Sequence, residues 1–158
     1  MIPSRGSLTH LAANTVAIGI LLAGAIYLLV SAFVKFADVP SFAEALLRQG
    51  LLSTASAPTV AWLVPMAEAG VAFIAIWRLL TVSGSRYPWL LCAVAYASLA
   101  AYAGALVLHP PAEPAPCGCL GGSAEPADWG NIAVKNTGAA LALGLAPLLL
   151  IGRGVGRG

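Results

Sequence analysis

Apolar residues in this chain neither alternate nor keep to one helical face. They gather into four long runs, at about 8–33, 58–80, 89–108 and 129–151. A helix of about 20 apolar residues crosses a hydrocarbon core of roughly 30 Å, so each run predicts a membrane-spanning helix. The first run is longer than the roughly 7–15 residues of a signal-peptide core, and only Arg5 precedes it, so a span is expected rather than a cleaved leader.

The segments between the runs differ in character. In "VPSFAEALLRQG", Ser41 followed three residues later by Glu44 has the spacing of a capping box. Phe42, Ala45 and Leu46 form one apolar face, Glu44 and Arg48 stand at i,i+4, and Gly50 provides a stop. This predicts a short interfacial helix covering the outer end of a bundle. The segment from Pro110 to Asp128 is rich in proline, with Gly118, Gly121 and Gly122, and predicts a stiff, non-helical loop. In the third run Ala93, Ala97, Ala101 and Ala105 make a small-residue stripe suited to close helix packing.

Composition turns this pattern into a class. Of the 158 residues 59% are hydrophobic and 9% charged, with a mean hydropathy of +0.89. Soluble domains carry about 25% charged residues. The expected fold is therefore an all-α integral membrane protein, a four-transmembrane-helix bundle with one interfacial helix, forming a single domain over 1–158. The eight basic residues are scattered, with no stripe for nucleic acid, so the expected surroundings are the lipid bilayer and no nucleic acid.

The basic residues also set an orientation. Arg5, Arg78, Arg86, Arg153 and Arg157 fall on one side of the four spans. Lys35 and Arg48 fall on the other, where Glu113, Glu125 and Asp128 also lie, with Lys135 in the outer half of the last helix. The positive-inside rule then puts both termini in the cytoplasm of a multi-pass protein of the cell membrane. Trp62 and Trp129 are expected near the outer interface, Trp77 and Trp89 near the inner one.

That orientation turns "PAPCGCLGG" outward, to the compartment where disulfides persist. Alpha carbons at i and i+2 lie within about 7 Å, so Cys117 and Cys119 can bond to each other around Gly118. As a staple such a ring contributes only about 1.6 kcal/mol of chain entropy, which does not explain it. An exposed, strained pair is of the exchangeable kind. The metal alternative, Cys117, Cys119 and His109 around a soft ion, lacks a further ligand to complete a tetrahedral site. Cys92, inside an apolar run, reads as inert filler.

Polar residues inside the spans mark a second centre. Glu68 lies about 15 Å into the second run, where a charge requires an interior partner. Lys135 and Asn136 lie roughly 10–12 Å into the fourth, and Glu68 with Lys135 is the expected ion pair, with Lys35 the next candidate partner. Lys35, at the outer end of the first, can snorkel to the interface. Pro65 removes the helix partner of the Ala61 carbonyl, and a kink is expected there.

"FVKFADVPSFAEAL", "PMAEAG", "CGCLGG" and "NIAVKNTGAALAL" together resemble the MauE family, membrane proteins of methylamine utilisation grouped with DoxX-like redox-associated proteins, over about residues 15 to 150. The CGC-x-GG element is the specific part; Leu120 replaces the family's usual aromatic. The resemblance implies thiol–disulfide exchange that helps mature an exported client enzyme subunit beside a thioredoxin-like partner. Cys117 and Cys119 would then be the redox pair, with Lys35, Glu68, Lys135 and Asn136 as the polar cluster around it. The chain would be a component of a thiol–disulfide oxidoreductase system. The architecture also resembles quinone-coupled disulfide generators, although those use a C-x-x-C pair; a quinone is admitted, and no cofactor is fixed. Two rival readings stand beside this one: a non-catalytic assembly factor, and a transporter of small molecules or metal ions through a Glu68/Lys135 cavity.

Overall fold

The computed structural model describes residues 5–81, 86–117 and 126–151, and within these the side chains between residues 14 and 147. It contains five helices: α1 (Arg5–Ala37), α2 (Val39–Arg48), α3 (Ala57–Thr81), α4 (Tyr87–Leu108) and α5 (Trp129–Ile151). No strand occurs among the described residues. By length and composition, Asn14–Ala37, Ala57–Thr81 and Tyr87–Leu108 can cross a membrane. The fourth expected run is also a helix, α5, packed along α4, while α1 packs chiefly on α3.

α3 buries a stripe of alanines and α1 a stripe that alternates alanine with leucine, and both turn many large residues outward. Ala17, Leu21, Ala25, Leu28 and Ala32 are the buried stripe of α1; Ala57, Ala61, Ala72 and Ala75 that of α3. Val16, Phe33, Trp62, Phe73, Trp77 and Leu80 are exposed. This inverted distribution suits lipid, which offers no penalty to a large apolar side chain, whereas small residues let helix backbones approach. Trp62 and Trp77 face outward at opposite ends of α3, in keeping with an aromatic belt. Trp89 instead packs inward: it shares a face with Cys92 and Tyr96 in the core where α1, α3, α4 and α5 meet, a matter of packing and not of depth in the membrane. In the alanine stripe of α4, Ala93 approaches Gly144 of α5, whereas Ala97 and Ala101 are exposed. α3 runs on as helix through Pro65, where a kink was expected.

The short helix expected after the first run is present as α2, with its start moved. Its cap is Asp38, whose carboxylate accepts from the Ser41 N–H at 3.1 Å and the Ser41 hydroxyl at 2.7 Å. Ser41 is thus a donor to the cap and not the cap itself, because Pro40, with φ already fixed, fits the first turn. These two bonds hold the exposed Asp38 carboxyl below its usual value. Phe42, Ala45 and Leu46 of α2 pack on α3. Arg48 and Glu44 pair at 2.5 Å on the open side, both about 60% exposed, an arrangement worth a few tenths of a kcal/mol. Gly50 ends the element with φ 75°, a conformation open to glycine.

Candidate functional site

The buried stripes carry the charged residues inward. On α1 the positions 21, 28 and 35 repeat every seven residues, so Lys35 follows Leu21 and Leu28 onto the packed face. On α3, Glu68 falls between Ala61 and Ala72 on the same stripe. The two side chains meet at 2.5 Å, with only 4% and 6% of their surfaces exposed. Lys35 Nζ also donates to Ser31 Oγ at 3.0 Å and stands 5.3 Å from the centre of the Phe42 ring. Glu68 Oε1 takes the lysine; Oε2 has no hydrogen-bond partner among the described residues.

This corrects two expectations. Lys35 does not snorkel, because α1 continues to Ala37 and keeps it on the interior face. Glu68 therefore pairs with Lys35 rather than Lys135, which is exposed on α5. Asn136, one residue further, faces inward, and its amide donates to the Ile132 carbonyl at 3.0 Å.

Cys117 lies beside the same cavity as this pair. The segment's ends are drawn together where the Ala127 N–H donates to the Ala115 carbonyl at 3.1 Å, and Asp128 Oδ1 accepts from the Asn131 N–H as α5 begins. Cys117 is disulfide-bonded. Cys119 lies outside the described residues, and Cys92 is a free, buried thiol. Cys117 shares a cavity of about 440 Å³ with Lys35, Glu68, Lys135 and Asn136, so four of the expected polar residues and one cysteine meet in one place. Tyr27, Tyr96 and Trp129 complete much of its wall, and the Tyr96 hydroxyl donates to the Gly24 carbonyl at 3.0 Å. His109 ends α4, is exposed and does not line this cavity. Among the described residues no three His, Cys, Asp or Glu side chains are grouped to hold a metal.

One residue that orders this site was missed from sequence. Gln49 is 1% exposed, and its amide donates to the Pro116 carbonyl at 3.0 Å and the Cys117 carbonyl at 3.3 Å. Its Oε1 accepts from the Tyr102 hydroxyl. The end of α2 and α4 thus hold Cys117 in position through one side chain. A signal for it exists: Gln49 extends the Phe42, Ala45, Leu46 face by one turn. Cys92 belongs to none of this. In unfolded protein it should react with maleimide at the rate of an ordinary thiol; in folded protein it should not react, and Cys92→Ala should leave thiol exchange unchanged.

No curated protein and no solved structure is significantly similar to the chain. Residues 12–150 match the family described as methylamine utilisation protein MauE, a span that includes the ion pair, Gln49, both cysteines of the C-G-C motif and Asn136. The chain is a membrane protein of the MauE family.

Proposed function

We propose that this protein exchanges disulfides with an exported thioredoxin-like partner, through a Cys117–Cys119 pair facing away from the cytoplasm, in the maturation of a client enzyme. The observation that carries the reading is the disulfide at Cys117, held by Gln49 and lining a cavity with a buried ion pair. A purely structural loop gains little from so small a ring. In the exchange, a thiolate of the partner attacks the Cys117–Cys119 bond and forms a mixed disulfide. The partner's second thiol then resolves it, so the partner loses two electrons and two protons and the C-G-C pair gains them. The carboxylates Glu113 and Asp128 flank the segment, and the charge of Lys35 is already balanced by Glu68. Neither favours a free thiolate on Cys117, which suits an oxidised member that waits to be attacked.

In this reading α5 is the fourth span and both termini are cytoplasmic. In intact cells, after reduction, a membrane-impermeant maleimide should label Cys117 and Cys119. Labelling confined to inverted vesicles would reverse the orientation. Cys117→Ser and Cys119→Ser should each insert and fold, fail in client maturation, and leave the other cysteine trapped with the thioredoxin-like partner. Normal maturation by both serine variants would rule out exchange and favour an assembly factor. Substrate uptake lost in Glu68→Gln but kept in the serine variants would favour transport.

A further inference from the structure

Once reduced by its partner, a dithiol must pass on two electrons before it can act again, and the structure assigns a place for the acceptor. A second cavity, of about 410 Å³, lies between α3 and α4 beneath α2, on the other side of the Lys35–Glu68 pair. Its walls are apolar, with Leu46, Val60, Val64, Val71 and Leu91 among them. Val94 at its margin is 64% exposed on the outer face of the bundle, so the cavity is reached from the side, through lipid. Lys35, Glu68 and Cys117 also line it.

We propose that this cavity binds a membrane-borne quinone that reoxidises the Cys117–Cys119 pair. The inference rests on the exchange reading for its electron donor and on the cavity for its ligand. Glu68 Oε2 is a buried carboxylate oxygen with no donor among the described residues, and Lys35 uses two of its three donors on Ser31 and Glu68. A ligand with an apolar body and a carbonyl oxygen satisfies the lysine, and its hydroxyl form satisfies the carboxylate. An acyl chain fills the space and satisfies neither. A quinone has the first form when oxidised and the second when reduced. The chemistry balances without further reagents: two S–H bonds break, one S–S bond forms, and the two electrons and two protons convert the quinone's two carbonyls to hydroxyls.

The test uses full-length protein in nanodiscs of synthetic, quinone-free phosphatidylcholine, with decylubiquinone as the probe. Saturable binding at one site per chain is expected, and it should persist when both Cys117 and Cys119 are serine. Val64→Trp, which fills only this cavity, should weaken binding tenfold or more. Ala67→Phe should do the same from an exposed position where folding is not at stake. Thr137→Val, in the separate groove between α4 and α5, should not change it. Protein reduced with dithiothreitol and freed of it should form one quinol per chain as its disulfide returns. Absence of saturable binding, or equal binding in Val64→Trp, Ala67→Phe and the unmodified protein, would overturn the proposal. So would binding without quinol formation by reduced protein. Protein that exchanges disulfides with a partner dithiol yet binds no decylubiquinone would leave the proposed function standing and remove only this acceptor.

Discussion

Glu68→Gln should destabilise the folded bundle by about 3–5 kcal/mol, because it leaves the Lys35 ammonium buried without its counter-charge. Lys35 is 3% exposed, and a side chain that deep cannot reach the interface without unwinding the end of α1. The Ser31 hydroxyl and the glutamine's amide oxygen remain to it as acceptors, and neutral acceptors do not offset a desolvated charge. Lys35→Met should cost a similar amount for the mirror reason, since both Glu68 oxygens would then lack a donor. The Lys35→Met, Glu68→Gln double variant should lose much less than the sum, since an ion pair replaced as a whole is often close to neutral. Lys135→Met, at an exposed position, should stay within about 0.5 kcal/mol. Unfolding titrations in mixed micelles check all four. Additive losses from Lys35→Met and Glu68→Gln would contradict the pairing, and coupling between Glu68 and Lys135 would restore the partner expected from sequence.

Gln49→Leu should have the next largest effect. The substitution is close in size, but it removes two donors to the Pro116 and Cys117 carbonyls and the acceptor of the Tyr102 hydroxyl. With each lost bond worth about 1 kcal/mol net, and more where a group is left buried, a loss of about 3 kcal/mol is expected. Tyr102→Phe removes one of the three and should cost about 1 kcal/mol. A purely structural role predicts lower stability and nothing else. A positioning role predicts in addition that the folded Gln49→Leu protein exchanges its disulfide at an altered rate. Equal exchange rates in Gln49→Leu and unmodified protein would confine Gln49 to stability.

The helices were legible because their signal is length and apolarity: 129–151 coincides with α5, and 58–80 and 89–108 differ from α3 and α4 by one or two residues at an end. The cluster of Cys117, Lys35, Glu68, Lys135 and Asn136 was legible as a set, since polar residues in apolar runs have few places to go. The partner within the set was ranked second, behind Lys135. Ending the first helix at 33 placed Lys35 in the interface; the four further residues of α1 put it on the Leu21 and Leu28 face, two heptads from the first. A stripe count would have found it. The cap was misread for a local reason, since both Asp38 and Ser41 are capping residues and the choice between them depends on where Pro40 fits. The clamp by Gln49 joins residues 67 and 68 positions apart, a pairing that only the folded bundle brings about.

The most direct measurement of the central claim is the redox state of the cysteine pair during one encounter with a partner. Unmodified protein in nanodiscs would be mixed with one equivalent of a reduced thioredoxin-like protein, quenched with acid at intervals, and alkylated with a mass-tagged maleimide. The account predicts that Cys117 and Cys119 gain two tags together as the partner loses two, while Cys92 stays untagged until the chain is unfolded. A pair that stays oxidised while the partner keeps its thiols would contradict it.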